Sequence, residues 1–349
     1  MEFREYLLNQ MKRHPSMQPQ DIVKLCYQAA FGADHLLTDK EAAYQYFQSE
    51  FFSVDSASIP LYEEISPHFC RINLAAWKKL NLPPQWLFQM FACSASSPHG
   101  SEELFDRYIE IAHSLIESGN ITASVTEWAN FRKHYESCGI RPLHHSQLYR
   151  DHERPAYRVI LSSFIRLLPL LVKLSALPEK NTARIVAIDG PSASGKTTIA
   201  AQLEKILEAG IIHMDDFFLP QDLRTNNRLA QPGGNVHYER FIEEVLPSLS
   251  SMEAFSYRKF DCSLMRFNGK REVPKAKWRI VEGAYSCHPE FGNYMDLRVF
   301  LEIDAVEQHR RIHARNGEEM ARLFAERWIP MEEAYFQQYH IREKSHLVL

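Results

Sequence analysis

The sequence predicts an α/β fold in its C-terminal half, a parallel sheet with flanking helices, preceded by a mostly α-helical domain. Three observations carry this. After residue 183, short apolar runs alternate with helical stretches; the first of these runs is apolar throughout and leads into a glycine-containing loop; and before residue 178 the apolar residues recur at helical spacing instead.

A chain of 349 residues exceeds one ordinary core, so two domains are expected. In the first, Ile22, Leu25, Cys26, Ala29 and Ala30 share one helical face, and Leu104, Tyr108, Ile111 and Leu115 share another. Thr38-x-x-Glu41 and Ser124-x-x-Glu127 have the spacing of capping boxes, in which hydroxyl and carboxylate satisfy each other's free backbone N–H. Trp77, Trp86 and Trp128 suit core packing. The most apolar stretch, residues 159–174, is interrupted by Ser162, Ser163, Arg166 and Lys173 and falls short of the roughly 20 apolar residues of a membrane span. It reads as a buried helix. The polar, proline-containing residues 177–182 mark a linker, which sets the domains at residues 1–178 and 183–349.

Beyond the linker, residues 184–189, 211–214, 279–281 and 297–303 read as strands, and the alternation with helices implies βαβ units. Ile185-Val186-Ala187-Ile188 has the continuous apolarity of a strand covered on both faces. Next comes Gly190-Pro191-Ser192-Ala193-Ser194-Gly195-Lys196-Thr197, a full match to G-x-x-x-x-G-K-S/T, and then a helical run from Thr198. Strand, loop and helix stand in the order a phosphate-binding P-loop needs. Its backbone N–H groups would point inward at phosphate oxygens beside the positive end of the helix. Lys196 would bridge β- and γ-phosphates, and Thr197 would offer a hydroxyl to Mg²⁺, a hard cation that takes oxygen donors. The bland alternative is a chance Gly/Ser-rich turn.

A P-loop alone does not separate kinases from other nucleotide-using proteins. Asp215 and Asp216 close the second strand, where open α/β sheets form their ligand crevice, and one of them could take a proton from an acceptor hydroxyl; both could instead cap a turn. Glu282-Gly283 ends a further strand, making Glu282 a candidate for holding Mg²⁺ or its water. Arg310, Arg311 and Arg315 lie on a helical stretch that breaks at Asn316-Gly317. They could neutralise a transferring phosphoryl group, or form a solvated helix face.

In this order the motifs resemble those of the uridine kinase and phosphoribulokinase group of P-loop kinases, from about Arg184 to the C-terminus. The resemblance implies a P-loop NTPase sheet, ATP as phosphate donor, Mg²⁺, and a small hydroxyl compound as acceptor. It makes Asp215 the general base, Lys196 and the arginines the phosphoryl stabilisers, and Thr197, Glu282 and Asp215 the Mg²⁺ set. Residues 190–198 (Gly190 through Thr198) would cradle the nucleotide, and residues 257–261 would be the substrate segment. Departures fall on the acceptor side: residues 233–240 replace a His-Pro-Asp-like segment, Arg315-Asn316-Gly317 replaces an Arg-Gly-Arg ending, and Phe218 stands where tyrosine is usual. The resemblance implies a uridine- or cytidine-like nucleoside as acceptor, while the departures, which remove hydrogen bonds that would select one, keep a sugar, vitamin or anionic metabolite as the alternative; Arg258 and Lys259 could favour an anion. A nucleotide-controlled interaction protein is the reading from another class.

A net charge of −4 with no long Lys/Arg block argues against a nucleic-acid partner. Six scattered cysteines without C-x-x-C spacing fit a reducing cytosol, and the N-terminus lacks the layout of a secretory signal. His309 with His313, His134 with Cys138, and His144-His145 with His152 are weak metal patterns lacking further ligands. The N-terminal domain could regulate, oligomerise as a homo-oligomer, or complete the acceptor site.

Overall fold

The computed structural model describes residues 2–33, 39–96 and 100–349. It divides into two units, Met1–Ser175 and Ala176–Leu349.

The first unit contains helices α1 (Phe3–Arg13), α2 (Pro19–Phe31) and α3 (Lys40–Ser53), strands β1 (Tyr62–Glu64) and β2 (Phe69–Asn73), helices α4 (Leu74–Lys79), α5 (Pro84–Ala95), α6 (Glu102–Glu117), α7 (Val125–Ser137) and α8 (Gln147–Glu153), strand β3 (Tyr157–Leu161) and helix α9 (Leu168–Ser175). The apolar face of α2 is buried as its periodicity predicts, and so are Trp77, Trp86 and Trp128; in α6 the buried stripe is rotated, with Phe105, Ile109, Ala112 and Ile116 joining Tyr108 and Leu115 while Leu104 and Ile111 are only half-buried. Ser124 caps α7 by accepting the Glu127 N–H at 3.3 Å. Thr38 lies outside the described residues; α3 is capped by Asp39, which accepts the Glu41 and Ala42 N–H groups.

Helical periodicity did not reveal the small antiparallel sheet β1-β2-β3. The run over residues 159–174 is not one helix: Val159 and Ile160 pair with Arg71 and Cys70 of β2, a 3-10 turn follows, and only Leu168–Ser175 is α-helical. β-branched residues at its start favour the pleated partner over the helix.

The second unit runs β4 (Arg184–Asp189), α10 (Lys196–Leu207), β5 (Gly210–His213), α11 (Asn226–Leu229), α12 (Tyr238–Glu244), α13 (Leu246–Leu249), the hairpin β6 (Phe255–Asp261) and β7 (Arg266–Val273), β8 (Trp278–Glu282), β9 (Leu297–Phe300), α14 (Ala305–Asn316), α15 (Glu318–Leu323), α16 (Ile329–Tyr339) and β10 (Leu347–Val348). Its five-stranded sheet has the order β10-β9-β4-β8-β5 with every pairing parallel. Ile185, Val186, Ala187 and Ile188 of the central strand are all buried, as a strand covered on both faces requires. Register then brings the carboxyl ends together: Ile188 lies opposite Glu282, and Glu282 opposite His213. The loops after β4, β5 and β8 therefore open on one crevice, where sheets of this kind bind ligands. Among the described residues no helix is long and apolar enough to cross a membrane.

Candidate active site

The loop between β4 and α10 is organised by a carboxylate that its motif does not contain. Asp189, the last residue of β4, is fully buried. Its Oδ1 accepts the Gly190 N–H at 2.8 Å and the Tyr285 N–H at 3.1 Å; Oδ2 accepts the Cys287 N–H and the Tyr335 hydroxyl, both at 2.9 Å. Burial raises its pKa, and the bonds from Cys287, Gly190 and Tyr335, with the Lys196 charge, oppose that push. One side chain thus ties the P-loop to the end of β8 and to α16. Gly190 has φ +140°, and a Cβ there would stand 2.5 Å from the Leu301 carbonyl oxygen, so only glycine fits.

Lys196 opens α10, and its Nζ donates to the carbonyls of Gly190 and Pro191 at 2.7 and 2.8 Å. The next residue, Thr197, donates its hydroxyl to Glu282 Oε2 at 3.0 Å, and Glu282 Oε1 lies 2.6 Å from His213 Nδ1. Gly283 lets the two strand ends approach: a Cβ there would lie 2.7 Å from the Met214 Cβ. Asp215 follows Met214 and has no hydrogen-bond partner among the described residues. Its oxygens reach cleft water, yet protein fills most of the volume around it. That desolvation, and then the charge of Glu282, raise its carboxyl above the ordinary range, against the pull of Lys196 and His213. Two carboxylates and a hydroxyl so converge beside the loop, a donor set that suits a hard divalent cation.

Asp216 has a different fate from its neighbour. It is buried, takes the Tyr257 hydroxyl at 3.1 Å and Arg271 Nε at 2.6 Å, and thereby fastens the β6–β7 hairpin to the end of β5. Of the paired acids only Asp215 faces the cleft.

That cleft has a volume of about 570 Å³. Ser192, Ala193, Gly195, Lys196, Thr197 and Thr198 line it on the phosphate side, with Asp215 and Glu282 at its floor. Gly190, Pro191 and Ser194 of the same loop shape the turn without lining the cleft. Arg311 and Arg315 line it too, Arg311 donating to the Ala193 carbonyl at 3.1 Å. Arg310 does not join them: it lies on the exposed side of α14, with both its bonds on Glu307. Helical geometry explains this, because adjacent residues 310 and 311 point about 100° apart. The hairpin segment 257–261 contributes little directly. Tyr257 is buried beneath Asp216, and Arg258 is engaged by Glu244; the hairpin reaches the cleft through its tip, at Cys262 and Met265.

Besides Asp189, three participants escaped sequence reasoning. His213 fixes Glu282, and Arg224 lines the cleft from the loop after β5. Glu332 of α16, almost fully buried, accepts the Ser192 N–H at 2.8 Å and its hydroxyl at 2.5 Å. Burial raises the Glu332 pKa, opposed by Lys196 and the Ser192 bonds. No motif spacing marks it, since it lies 140 residues from its partner. Among the described residues no group of three or more His, Cys, Asp or Glu side chains is placed to hold a metal ion; His313 pairs with Glu318, and His145 with Asp21.

No protein-family model matches the chain. Over 138 residues it is 26% identical to a uridine kinase of Schizosaccharomyces pombe, which covers 37% of this chain and 30% of that protein. Over 119 residues it is 28% identical to uridine-cytidine kinase C of Dictyostelium discoideum, 34% of this chain and 26% of that one. The chain thus spans less than a third of the length of these curated relatives. Among solved structures, one described as a possible uridine kinase from Bacillus stearothermophilus aligns over 54% of this chain and 99% of its own, with a TM-score of 0.41 and 18% identity. A D-glycerate 3-kinase from Cryptococcus neoformans aligns over 49% of this chain and 86% of its own, with a TM-score of 0.36 and 19% identity. On part of its length, then, the chain is similar to the uridine kinase-like P-loop kinases.

Proposed function

We propose that the second unit is an ATP- and Mg²⁺-dependent phosphotransferase that moves the γ-phosphate onto a hydroxyl of a small molecule. The carrying observation is Asp215: a carboxylate without a partner, raised in pKa, at the floor of the cleft that the P-loop lines. A protein that only senses nucleotide needs no such base.

The residues fit the donor. Lys196 would turn from the loop carbonyls to the phosphate oxygens, while the start of α10 presents backbone N–H groups to them. Thr197 and Glu282, already 3.0 Å apart, with Asp215 beside them, would hold Mg²⁺, which when bound neutralises charge on the β- and γ-phosphates. His213 keeps Glu282 aimed at that position. Asp215 would accept the acceptor's hydroxyl proton as that oxygen bonds to the γ-phosphorus and the bond to the β–γ bridging oxygen breaks, releasing ADP. Arg311 and Arg315 would offset the charge spread over the equatorial oxygens. Catalysis would rest on positioning and charge neutralisation.

Similarity to uridine and uridine-cytidine kinases supports a nucleoside as the first acceptor to try. ADP release measured against nucleosides, sugars, vitamins and small hydroxy acids tests the proposal. Stimulation by one class is expected, and Asp215→Asn should still bind ATP, as wild type does when Mg²⁺ is left out, yet lose about 10²- to 10⁴-fold in turnover. Wild-type turnover in that variant would remove Asp215 from the mechanism.

A further inference from the structure

From the cleft's second wall we infer that the acceptor carries an anionic group, a carboxylate or a phosphate monoester, and that Arg224 recognises it. This rests on the phosphotransfer reading above and specifies its acceptor.

Arg224 is half-buried and lines the same cleft as Asp215. Its Nε donates to the Leu219 carbonyl at 2.8 Å, and the Leu219 N–H in turn donates to the Asn235 carbonyl at 3.0 Å. The guanidinium is therefore anchored through one nitrogen, and no carboxylate among the described residues pairs with its other two. On the neighbouring α11 and β6–β7 hairpin the arginines are paired: Arg228 faces Glu239, Arg258 faces Glu244, and Arg271 faces Asp216; in the cleft Arg315, bonded to Asn316, shares the lack of a carboxylate partner. A half-buried cation held in place with its planar fork open is arranged for an anion that it can bind bidentately. An uncharged acceptor would leave that charge partly desolvated and uncompensated.

Placement agrees. Cys262, at the hairpin tip, is in electrostatic reach of both Asp215 and Arg224: crowding raises its thiol to about 11, Asp215 adds to the rise and Arg224 opposes it. Base, thiol and cation all line the one cleft. Arg311 stands elsewhere, bonded to the P-loop itself. Of the two cations that chain position suggested for an anionic acceptor, Arg258 is engaged by Glu244, and neither it nor Lys259 lines the cleft, so Arg224 takes that role in their place.

Two measurements test this. In the first, Cys262 is alkylated with iodoacetate and with iodoacetamide, and the Cys262 peptide is quantified by mass spectrometry in the wild type, Arg224→Gln and Arg224→Lys. The iodoacetate-to-iodoacetamide rate ratio should fall by about 10-fold in Arg224→Gln and largely survive in Arg224→Lys; an equal ratio in all three overturns the anion site. In the second, ADP release is compared for glycerate against glycerol and for ribose 5-phosphate against ribose, with uridine alongside. Higher kcat/KM for a charged member is expected, and Arg224→Gln should raise its KM by at least 30-fold while leaving the KM for ATP within 3-fold. The charged member that responds distinguishes carboxylate from phosphate. Preference for uridine or a neutral member, indifferent to Arg224→Gln, overturns the inference while phosphotransfer stands. ADP release unmoved by any acceptor counts against photransfer chemistry itself, and the alkylation ratio then decides on the anion site alone.

Discussion

Replacing Glu332 with glutamine should tighten ATP binding. In the wild type its two carboxylate oxygens hold the Ser192 N–H and hydroxyl at 2.8 and 2.5 Å. Glutamine keeps this pattern, since its carbonyl can accept the N–H and its amide can donate to the hydroxyl oxygen, so what disappears is charge. A γ-phosphate entering the P-loop would come close to that carboxylate. At about 5 Å and an effective dielectric constant near 20, each unit of negative charge on the phosphate is repelled by about 3 kcal/mol. Retreat of α16 relieves part of this, leaving an expected gain of about 10- to 100-fold in affinity. ADP, which lacks the γ-group, should gain much less. Protonation acts as the mutation does: because burial raises the Glu332 pKa, lowering the pH toward it should tighten ATP binding in the wild type and have less effect in Glu332→Gln. Titration calorimetry with ATP and ADP at pH 8 and pH 6 reads all of this. An unchanged ratio of ATP to ADP affinity in Glu332→Gln would refute the repulsion and leave Glu332 a simple brace of the loop.

Glu282→Gln should weaken Mg²⁺-dependent ATP binding while sparing binding without the cation, a difference that titrations with and without Mg²⁺ resolve. Asp189→Ala removes the acceptor of three backbone N–H groups and one hydroxyl, and at roughly 1–3 kcal/mol per orphaned buried donor it should cost the second unit several kcal/mol in urea unfolding. His145 supplies a pH test in the first unit. Burial lowers its pKa to about 4, so its contribution is present above the unfolded value near 6.5 and is lost as pH falls through that window. The unfolded state binds more protons there, so unfolding free energy should drop by about 2 kcal/mol between pH 7 and pH 5, and less in His145→Gln.

What could be read in the sequence was what chemistry forces into local patterns. The P-loop is contiguous because consecutive N–H groups must face one phosphate chain. Strand β4 is apolar at every core position because both its faces are covered. Strand-end acids stand out where an apolar run stops. The unread parts depend on long-range partners. Nothing local distinguishes Asp215 from Asp216; the Arg271 and Tyr257 side chains do, from 41 and more residues away. Glu332 looks like any helix glutamate until α16 is laid against Ser192. The N-terminal sheet was hidden because its strands are only 3 to 5 residues long and sit among helices of up to 16. Arg310 and Arg311 are equivalent in sequence and separate only when the helix assigns them faces.

The hairpin tip has a consequence for how such a protein diversifies. Asp261 organises the turn by accepting from Ser263, Leu264 and Asn268, and the turn delivers Cys262 and Met265 to the cleft. The phosphate-handling side chains hang instead from the ends of β4, β5 and β8, inside the sheet's hydrogen-bonded frame. Substitutions at the tip can therefore redraw the acceptor wall at little risk to the sheet. Evolution, or a designer, gains a dial for substrate choice that is mechanically separate from the engine it serves.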